Sequence, residues 1–103
     1  MKVLTIYISG PISGLPDGNR PAFAAAAARL SHDGHTVINP HDLFQEDERL
    51  LRWEDYMRVD LAALLTCDQV QLLPGWDASR GARLEKYVAE QLGMPVVEDT
   101  GAA

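Results

Sequence analysis

Apolar and polar positions alternate in two patterns along the chain. Short apolar runs bounded by Gly, Pro, Asn or Asp predict buried β-strands at residues 3–8, 35–39, 68–73 and 94–97. Longer stretches with apolar residues at helical spacing predict helices at residues 21–30, 53–66 and 79–92. The polar, acidic segment 41–51 predicts a loop or an irregular short helix, and residues 98–103 predict a polar tail that frays. The sequence leaves two roles open for residues 45–52, a lid over the cleft and a dimer contact.

The predicted order of elements is β-α-β-α-β-α-β. Strands that are apolar throughout and alternate with helices indicate a parallel sheet with helices on both faces. Right-handed crossovers favour a small doubly wound, flavodoxin-like α/β fold with strand order 2-1-3-4, and residues 1–103 are expected to form a single domain. Ligands of such sheets bind beyond the carboxyl ends of the strands, at the switch point between strands 1 and 3. Segments 9–14 and 74–85 are therefore expected on opposite walls of one cleft.

Charge and composition narrow the classes of function. The 103 residues carry a net charge of −6, which argues against binding to a nucleic acid polymer, because phosphate backbones are held by basic patches. No apolar run is long enough for a membrane span, and the N-terminus lacks the pattern of a signal peptide. Cys67 is the only cysteine, so no internal disulfide is expected and a cytoplasmic location is favoured.

Two carboxylates fall on apolar faces of predicted helices, where an unpaired charge is costly. Glu85 shares a helical stripe with Ala82, Ala89 and Leu92, and Asp60 lies on the apolar stripe of the preceding helix. For either acid alone, a tolerated edge position or pairing with an Arg is an equally good explanation. Two inward acids beside one cleft are typical of sites that cleave glycosidic bonds.

Further candidates flank this cleft. Tyr7, at the end of the first strand, is either a core tyrosine or a residue that orients Glu85. The loop that follows consists of Ser9, Gly10, Pro11, Ile12, Ser13 and Gly14. Its backbone amides suit a phosphate, although it has neither a P-loop nor a dinucleotide-binding pattern. Ser79 predicts a helix cap, Gly81 gives a ligand access to the first helical turn, and Trp76 is a core residue or an aromatic wall for a flat base.

Other reactive residue types give weaker signals. His32, His35 and His41 lack metal-ligand spacing and fall at turns, so we expect capping or solvated roles for them. Cys67 lies at a helix-to-strand junction and is expected to be a small buried residue rather than a nucleophile. The chain has no Gly-x-Ser-x-Gly elbow, so a serine hydrolase is not supported.

Five stretches together carry a family resemblance. They are Tyr-Ile-Ser-Gly-Pro-Ile-Ser-Gly at 7–14, Asn39-Pro40, Tyr56-Met57-Arg58-x-Asp60-Leu61, Cys67-Asp68, and Leu73-Pro74-Gly75-Trp76-x-x-Ser79-x-Gly81-Ala82-x-x-Glu85. This combination resembles the nucleoside 2-deoxyribosyltransferase-like family, especially its short branch in phage and bacterial genomes, which is related to 2′-deoxynucleoside 5′-monophosphate N-glycosidases. The resemblance covers nearly the whole chain.

The resemblance implies an enzyme that cleaves the N-glycosidic bond of a 2′-deoxynucleoside or its 5′-monophosphate. Glu85 matches the nucleophile that forms a covalent glutamyl-deoxyribosyl intermediate, and Tyr7 matches the residue that orients it. Asp60 matches the residue that contacts the sugar hydroxyl or assists protonation of the base. In the hydrolases the first loop and the serine matching Ser79 help to bind the 5′-phosphate. The family uses no metal or organic cofactor, and its sites are completed across a homodimer or higher homo-oligomer.

The chain departs from the family pattern in two places. It ends soon after the fourth predicted strand, whereas full transferases continue, so base exchange is less expected than hydrolysis. Its first loop has no basic residue directly after Ser13, and Arg20, Arg80 and Arg83 are the candidate replacements for binding a 5′-phosphate. The alternative function is a non-catalytic nucleotide-binding module on the same fold, and a purely structural or regulatory protein is a third possibility.

Overall fold

A computed structural model describes residues 2–44 and 51–101, so most of the segment 45–52 lies outside the described residues. Within these ranges the strands are β1 (Thr5–Ser9), β2 (Thr36–Ile38), β3 (Gln69–Leu72) and β4 (Val96–Glu98). The helices are α1 (Arg20–His32), α2 (Trp53–Leu64) and α3 (Arg80–Gln91). Short 3-10 turns occur at Pro16–Asn19, Pro40–Leu43 and Trp76–Ala78. The predicted alternation of strands and helices is confirmed.

The four strands form one parallel sheet in the order β2-β1-β3-β4, as the sequence predicts. β1 is central, and its Tyr7 lies opposite Ile38 of β2 and Val70 of β3. Because β1 has a partner on both edges and helices on both faces, its residues from Ile6 to Ser9 are all buried. The end of β1 is therefore a well-fixed position in the fold.

Side chains alternate between the two faces of β1 and join two separate cores. Tyr7 belongs to a buried cluster with Leu64 of α2 and Ala89 of α3. Ile8 belongs to a second cluster, which includes Phe23 of α1. Thus α2 and α3 cover one face of the sheet and α1 covers the other, which confirms the doubly wound arrangement. None of the helices in the described ranges is long and apolar enough to cross a membrane.

The start of α3 follows its local sequence signals, but its end differs from the prediction. Ser79 is the N-cap, and its Oγ accepts a hydrogen bond of 3.2 Å from the backbone N–H of Ala82. Leu92, predicted on the buried stripe, is 60% exposed. It lies beyond the last helical residue, Gln91, where the chain turns at Gly93 with φ 73°.

The C-terminal end of the chain also differs from the prediction. Glu98 is the last residue of β4, and Asp99, which is only 6% exposed, holds the segment 99–101 against the sheet. Residues 102–103 of the predicted tail lie outside the described residues. The carboxylate of Asp99 accepts hydrogen bonds of 3.0 and 3.1 Å from the guanidinium of Arg29 and one of 3.0 Å from Nε2 of Gln71. Arg29 and Asp99 are 70 positions apart, so no local pattern indicates their pairing. Tertiary contact thus overrides the polar composition of this segment.

Candidate active site

A cavity of about 600 Å³ lies between the segments that follow β1 and β3. Its walls come from the loop after β1, the turn after β2, the inner face of α2 and the first turns of α3. The lining residues are Gly10, Pro11, Ile12, Ser13, Leu15, Pro40, His41, Phe44, Trp53, Tyr56, Met57, Asp60, Ala78, Ser79, Arg80, Gly81, Ala82 and Glu85. The cavity thus occupies the switch point at which the sequence predicts a ligand site.

Glu85 reaches this cavity from α3 and is held from behind by two residues of β1. The residue is 4% exposed. The hydroxyl of Tyr7 donates to Oε2 over 2.5 Å, and the hydroxyl of Ser9 donates to Oε1 over 2.7 Å. Tyr7 and Ser9 are themselves fully buried and do not line the cavity. Both donors are neutral, so the two bonds orient the carboxylate without neutralising its charge.

Burial controls the ionisation of this group. Loss of solvation raises the pKa of Glu85 to about 7, against the opposing effect of the hydroxyls of Tyr7 and Ser9, which favour the charged form. The pKa of Tyr7 is raised far above its ordinary value by burial first and by the charges of Glu85 and Asp60 second. Tyr7 therefore remains a hydrogen-bond donor, while Glu85 has both protonation states accessible near neutral pH.

Asp60 brings a second carboxylate to the same cavity from α2. It is 7% exposed and lies on the inner stripe of the helix, with Met57 and Leu64 buried on either side of it. Its charge affects Tyr7, the residue that holds Glu85. The structure thus brings together the two inward acids and the tyrosine that the sequence singles out. A single cavity with two carboxylates is suited to stabilising positive charge on a bound ligand.

The first loop contributes the wall opposite α3. Gly10, Pro11, Ile12 and Ser13 line the cavity, whereas Gly14 is not among its lining residues. A Cβ at Gly10 would lie 2.8 Å from Cβ of Leu73, so the close approach of the loop to the end of β3 requires glycine there. Nδ2 of Asn19 donates to the carbonyl oxygen of Pro11 over 2.9 Å and fixes the loop against the start of α1.

The N-terminus of α3 lines the cavity at Ser79 and Gly81. Ser79 uses its hydroxyl oxygen as the helix cap. Gly81 allows close packing of α3 on α2, since a Cβ there would lie 3.2 Å from Sδ of Met57. The glycine thus has a packing role in addition to the ligand access expected from the sequence.

Trp76 is not among the lining residues of the cavity. Its indole Nε1 donates to Oε1 of Glu98 over 3.0 Å, and the ammonium group of Lys86 lies 5.3 Å from the ring centre. The ring also packs against the core cluster beneath α2 and α3. Of the two interpretations of Trp76 from the sequence, the core residue agrees with this placement.

Aromatic side chains of the cavity come instead from α2 and the turn after β2. Trp53, Tyr56 and Phe44 line it, with Phe44 and Tyr56 in ring contact at 4.9 Å. The guanidinium of Arg80 stacks over Trp53 at 3.6 Å. The sequence analysis does not name Trp53 or Tyr56 among the predicted site residues. Their spacing from Asp60 along one helical stripe was the signal that they face the same space.

His41, for which the sequence predicts a capping or solvated role, also faces this site. It lines the cavity, its Nε2 lies 2.9 Å from the carbonyl oxygen of Gly18, and its ring meets Phe23 edge-on at 4.9 Å. Cys67 is buried, as expected, and burial raises the pKa of its thiol. Within the described ranges no group of three or more His, Cys, Asp or Glu residues is arranged to hold a metal ion.

Comparison with known proteins supports the fold and identifies the family. No curated protein matches the chain. The structure is similar to that of a 2-deoxyribosyltransferase from the psychrotolerant bacterium Bacillus psychrosaccharolyticus, with a TM-score of 0.71 and 23% identity, covering 91% of this chain and 70% of that one. This likeness confirms the deoxyribosyltransferase-like fold. A family model described as a domain of unknown function, DUF4406, matches residues 4–98. The chain belongs to the DUF4406 family.

Proposed function

We propose that this protein cleaves the N-glycosidic bond of a 2′-deoxynucleoside or its 5′-monophosphate, with Glu85 as the nucleophile. The observation that carries this proposal is the placement of Glu85. Its carboxylate opens onto a cavity, is nearly excluded from solvent, and is oriented by two neutral hydroxyls. Neither hydrogen-bond donor is a cation, so burial of the charged Glu85 side chain lowers the stability of the fold. Carboxylates kept in such unfavourable surroundings are typical of catalytic sites.

The proposed reaction has two steps. An ionised oxygen of Glu85 attacks C1′ of the deoxyribose, so that a C1′–O bond forms while the C1′–N bond breaks. The bonding electron pair leaves with the base, which takes up a proton. Water then attacks C1′, the bond to Glu85 breaks, and the proton lost by the water balances the one taken up by the base. An acceptor base in place of water would give transfer.

Asp60 supports both steps in this proposal. Positive charge builds on the sugar ring as the C1′–N bond breaks, and carboxylates in a water-poor cavity stabilise it strongly. Asp60 is nearly as buried as Glu85 and enters the cavity from a different helix. It is therefore positioned to contact the sugar hydroxyl or to assist proton transfer to the departing base. Neither role requires a metal or an organic cofactor.

The cavity also suits a nucleoside in size and composition. Small-molecule sites commonly measure about 300–1,000 Å³ and combine apolar walls with a few polar groups. The aromatic rings of Phe44, Trp53 and Tyr56 provide a surface for the base. Of the three arginines considered for a 5′-phosphate, Arg80 lines the cavity, whereas Arg83 donates to the carbonyl oxygen of Asp77. Arg80 is therefore the proposed phosphate contact.

We also propose that the protein acts as a homodimer or higher homo-oligomer in the cytoplasm. Large apolar side chains are available for a contact between copies: Leu65, just after α2, is 56% exposed, and Tyr87 of α3 and Leu92, just after it, are each 60% exposed. Light scattering over a range of protein concentrations tests this assembly. A monomer at every concentration would contradict it.

Chromatography of released base tests the activity directly. 2′-Deoxynucleosides and their 5′-monophosphates are incubated with and without an acceptor base. Glu85→Gln serves as the inactive variant, and Ser31→Ala, at an exposed position of α1, serves as the control. Release without acceptor identifies a hydrolase, and release only with acceptor identifies a transferase. In either case, brief incubation with substrate should add one deoxyribosyl group to the wild-type mass and none to that of Glu85→Gln.

Three results would overturn the proposal. Base release by Glu85→Gln at the wild-type rate would remove Glu85 from the nucleophile's role. No release from any substrate, together with a rise in melting temperature on adding nucleotides, would favour the non-catalytic nucleotide-binding module. No release and no melting shift would favour a structural or regulatory protein.

A further inference from the structure

We infer that Ser9 is a positioning residue for Glu85, which works with Tyr7, rather than a ligand of the substrate. This inference rests on the proposed function of Glu85. Ser9 has no exposed surface and is not among the lining residues of the cavity, so a bound ligand has no access to it. Its hydroxyl instead donates to Oε1 of Glu85 over 2.7 Å, on the side away from the ligand.

The position of Ser9 follows from strand geometry. Tyr7 and Ser9 are two residues apart on β1, so their side chains point to the same face of the sheet, the face that α3 covers. Ser9 is also fixed through its backbone, since its carbonyl oxygen accepts a 2.8 Å hydrogen bond from the N–H of Leu73. The hydroxyl therefore occupies a rigid site at the end of the central strand, directly behind Glu85.

Two hydrogen-bond donors restrict the orientation of the Glu85 carboxylate more than one donor would. The hydroxyl of Tyr7 binds Oε2 and that of Ser9 binds Oε1, so each oxygen has its own donor. A single bond would leave the carboxylate free to rotate about its terminal torsion, which is a soft degree of freedom. The pair fixes the plane of the carboxylate. Because a carboxylate offers about four acceptor positions, lone pairs remain for attack on the cavity side.

The same hydrogen bond bears on the charge that attack requires. Several groups face Glu85 or its cavity: Tyr7 from β1, Asp60 from α2, His41 from the turn after β2 and Arg80 from the start of α3. Burial raises the pKa of Glu85, and the hydroxyl of Ser9 opposes this rise because it binds the ionised form better. Without Ser9, a larger fraction of Glu85 retains its proton at neutral pH and is unable to attack.

The test compares Ser9→Ala with Ser9→Cys and with the exposed control Ser31→Ala. The Cys variant keeps the shape of the side chain and leaves no cavity, but it replaces the hydroxyl with a weak donor, so it separates hydrogen bonding from the loss of packing. The primary measurement is NMR titration of ¹³C-labelled glutamate carboxyls without substrate. The Glu85→Gln spectrum identifies the resonance of Glu85. We expect a wild-type midpoint of about 7, unchanged in Ser31→Ala.

In Ser9→Ala the midpoint of the Glu85 titration should rise by roughly 1–2 pH units, because the loss of one hydrogen bond to the charged form shifts a pKa by about that much. The midpoint in Ser9→Cys should lie between those of the wild type and Ser9→Ala. The second measurement is the pH profile of kcat/KM, whose acidic limb should move by the same amount. At pH 6 the loss for Ser9→Ala should then be on the order of tenfold to hundredfold and should become smaller in alkaline solution.

The outcomes separate this inference from the proposed function. An unchanged Glu85 titration and acidic limb in Ser9→Ala would overturn the role of Ser9 while leaving a base-releasing enzyme intact. A shifted titration in a protein that releases no base would support the contact of Ser9 with Glu85 and overturn the proposed activity. A uniform loss of activity at every pH without a shift in the titration would indicate a structural role only and would also overturn the inference.

Discussion

Replacing Glu85 by glutamine should make the protein more stable at neutral and alkaline pH while abolishing its proposed activity. The physical reason is that the pKa of Glu85 is about 7 in the folded protein and about 4.5 in an unfolded chain. Below both values the carboxyl holds its proton in either state. Between them the folded state retains a proton that the unfolded state has released, so stability falls as the pH rises through this interval. Glutamine, which does not titrate, is free of this loss.

The size of the effect follows from the distance between the two pKa values. The interval is about 2.5 pH units, and each unit corresponds to about 1.4 kcal/mol, which gives an effect of about 3 kcal/mol. Because the residue is only 4% exposed, solvent screening does not reduce this value substantially. The difference in free energy of unfolding between Glu85→Gln and the wild type should therefore be about 3 kcal/mol larger, in favour of the variant, at pH 8 than at pH 4.

Urea unfolding of both proteins at several pH values between 4 and 8 measures this difference. The absolute curves contain contributions from other carboxyls, but these contributions cancel when the variant is compared with wild type at each pH. Glu90→Gln, the same change at an exposed position of the same helix, is the matched control. An equal effect of Glu85→Gln at pH 4 and pH 8 would show that burial does not raise the pKa of Glu85.

Three further substitutions test other parts of the structure. Arg29→Met leaves the carboxylate of Asp99 buried without its bidentate partner and should lower the free energy of unfolding by about 3 kcal/mol, measured by urea denaturation. Gly10→Ala places a Cβ 2.8 Å from that of Leu73 and should destabilise the fold by about 1–3 kcal/mol in the same assay; a neutral result would contradict the close approach. Trp53→Leu removes an aromatic wall and should raise KM for the nucleoside by about tenfold, as expected for a lost stacking contact; a fall in kcat at constant KM would contradict this role.

The sequence was sufficient to predict the main features of the fold and the position of the cleft. Apolar runs of strand length alternate regularly with amphipathic helices, and this order leaves few topologies open. Helical spacing alone predicts the inward position of Asp60 and Glu85, because each acid lies three or four positions from buried apolar residues of its own helix. These predictions needed only local periodicity and the rules of parallel sheets.

Features that depend on contacts between distant segments were harder to predict. The Gly- and Pro-rich sequence after Ile8 predicts Ser9 in the substrate loop, whereas Ser9 is the last residue of β1 and the alternation of the strand places it on the same face as Tyr7. Trp76 lies in a turn without periodicity, and its direction depends on Glu98 and Lys86 in other elements. Asp99 has a polar local sequence, and its burial follows from a partner on α1 that no spacing rule identifies.

The parallel pairing of β1 has a consequence for synthesis of the chain. β2 follows β1 within about thirty residues, but Tyr7 pairs with Val70, and this residue is made much later. At typical elongation rates of about 5–20 residues per second, one edge of β1 stays unpaired on the ribosome for several seconds. An open, apolar strand edge is a template for pairing with another nascent chain. The N-terminal half alone, or a ribosome stalled before β3, should therefore be prone to aggregation and a target for chaperones.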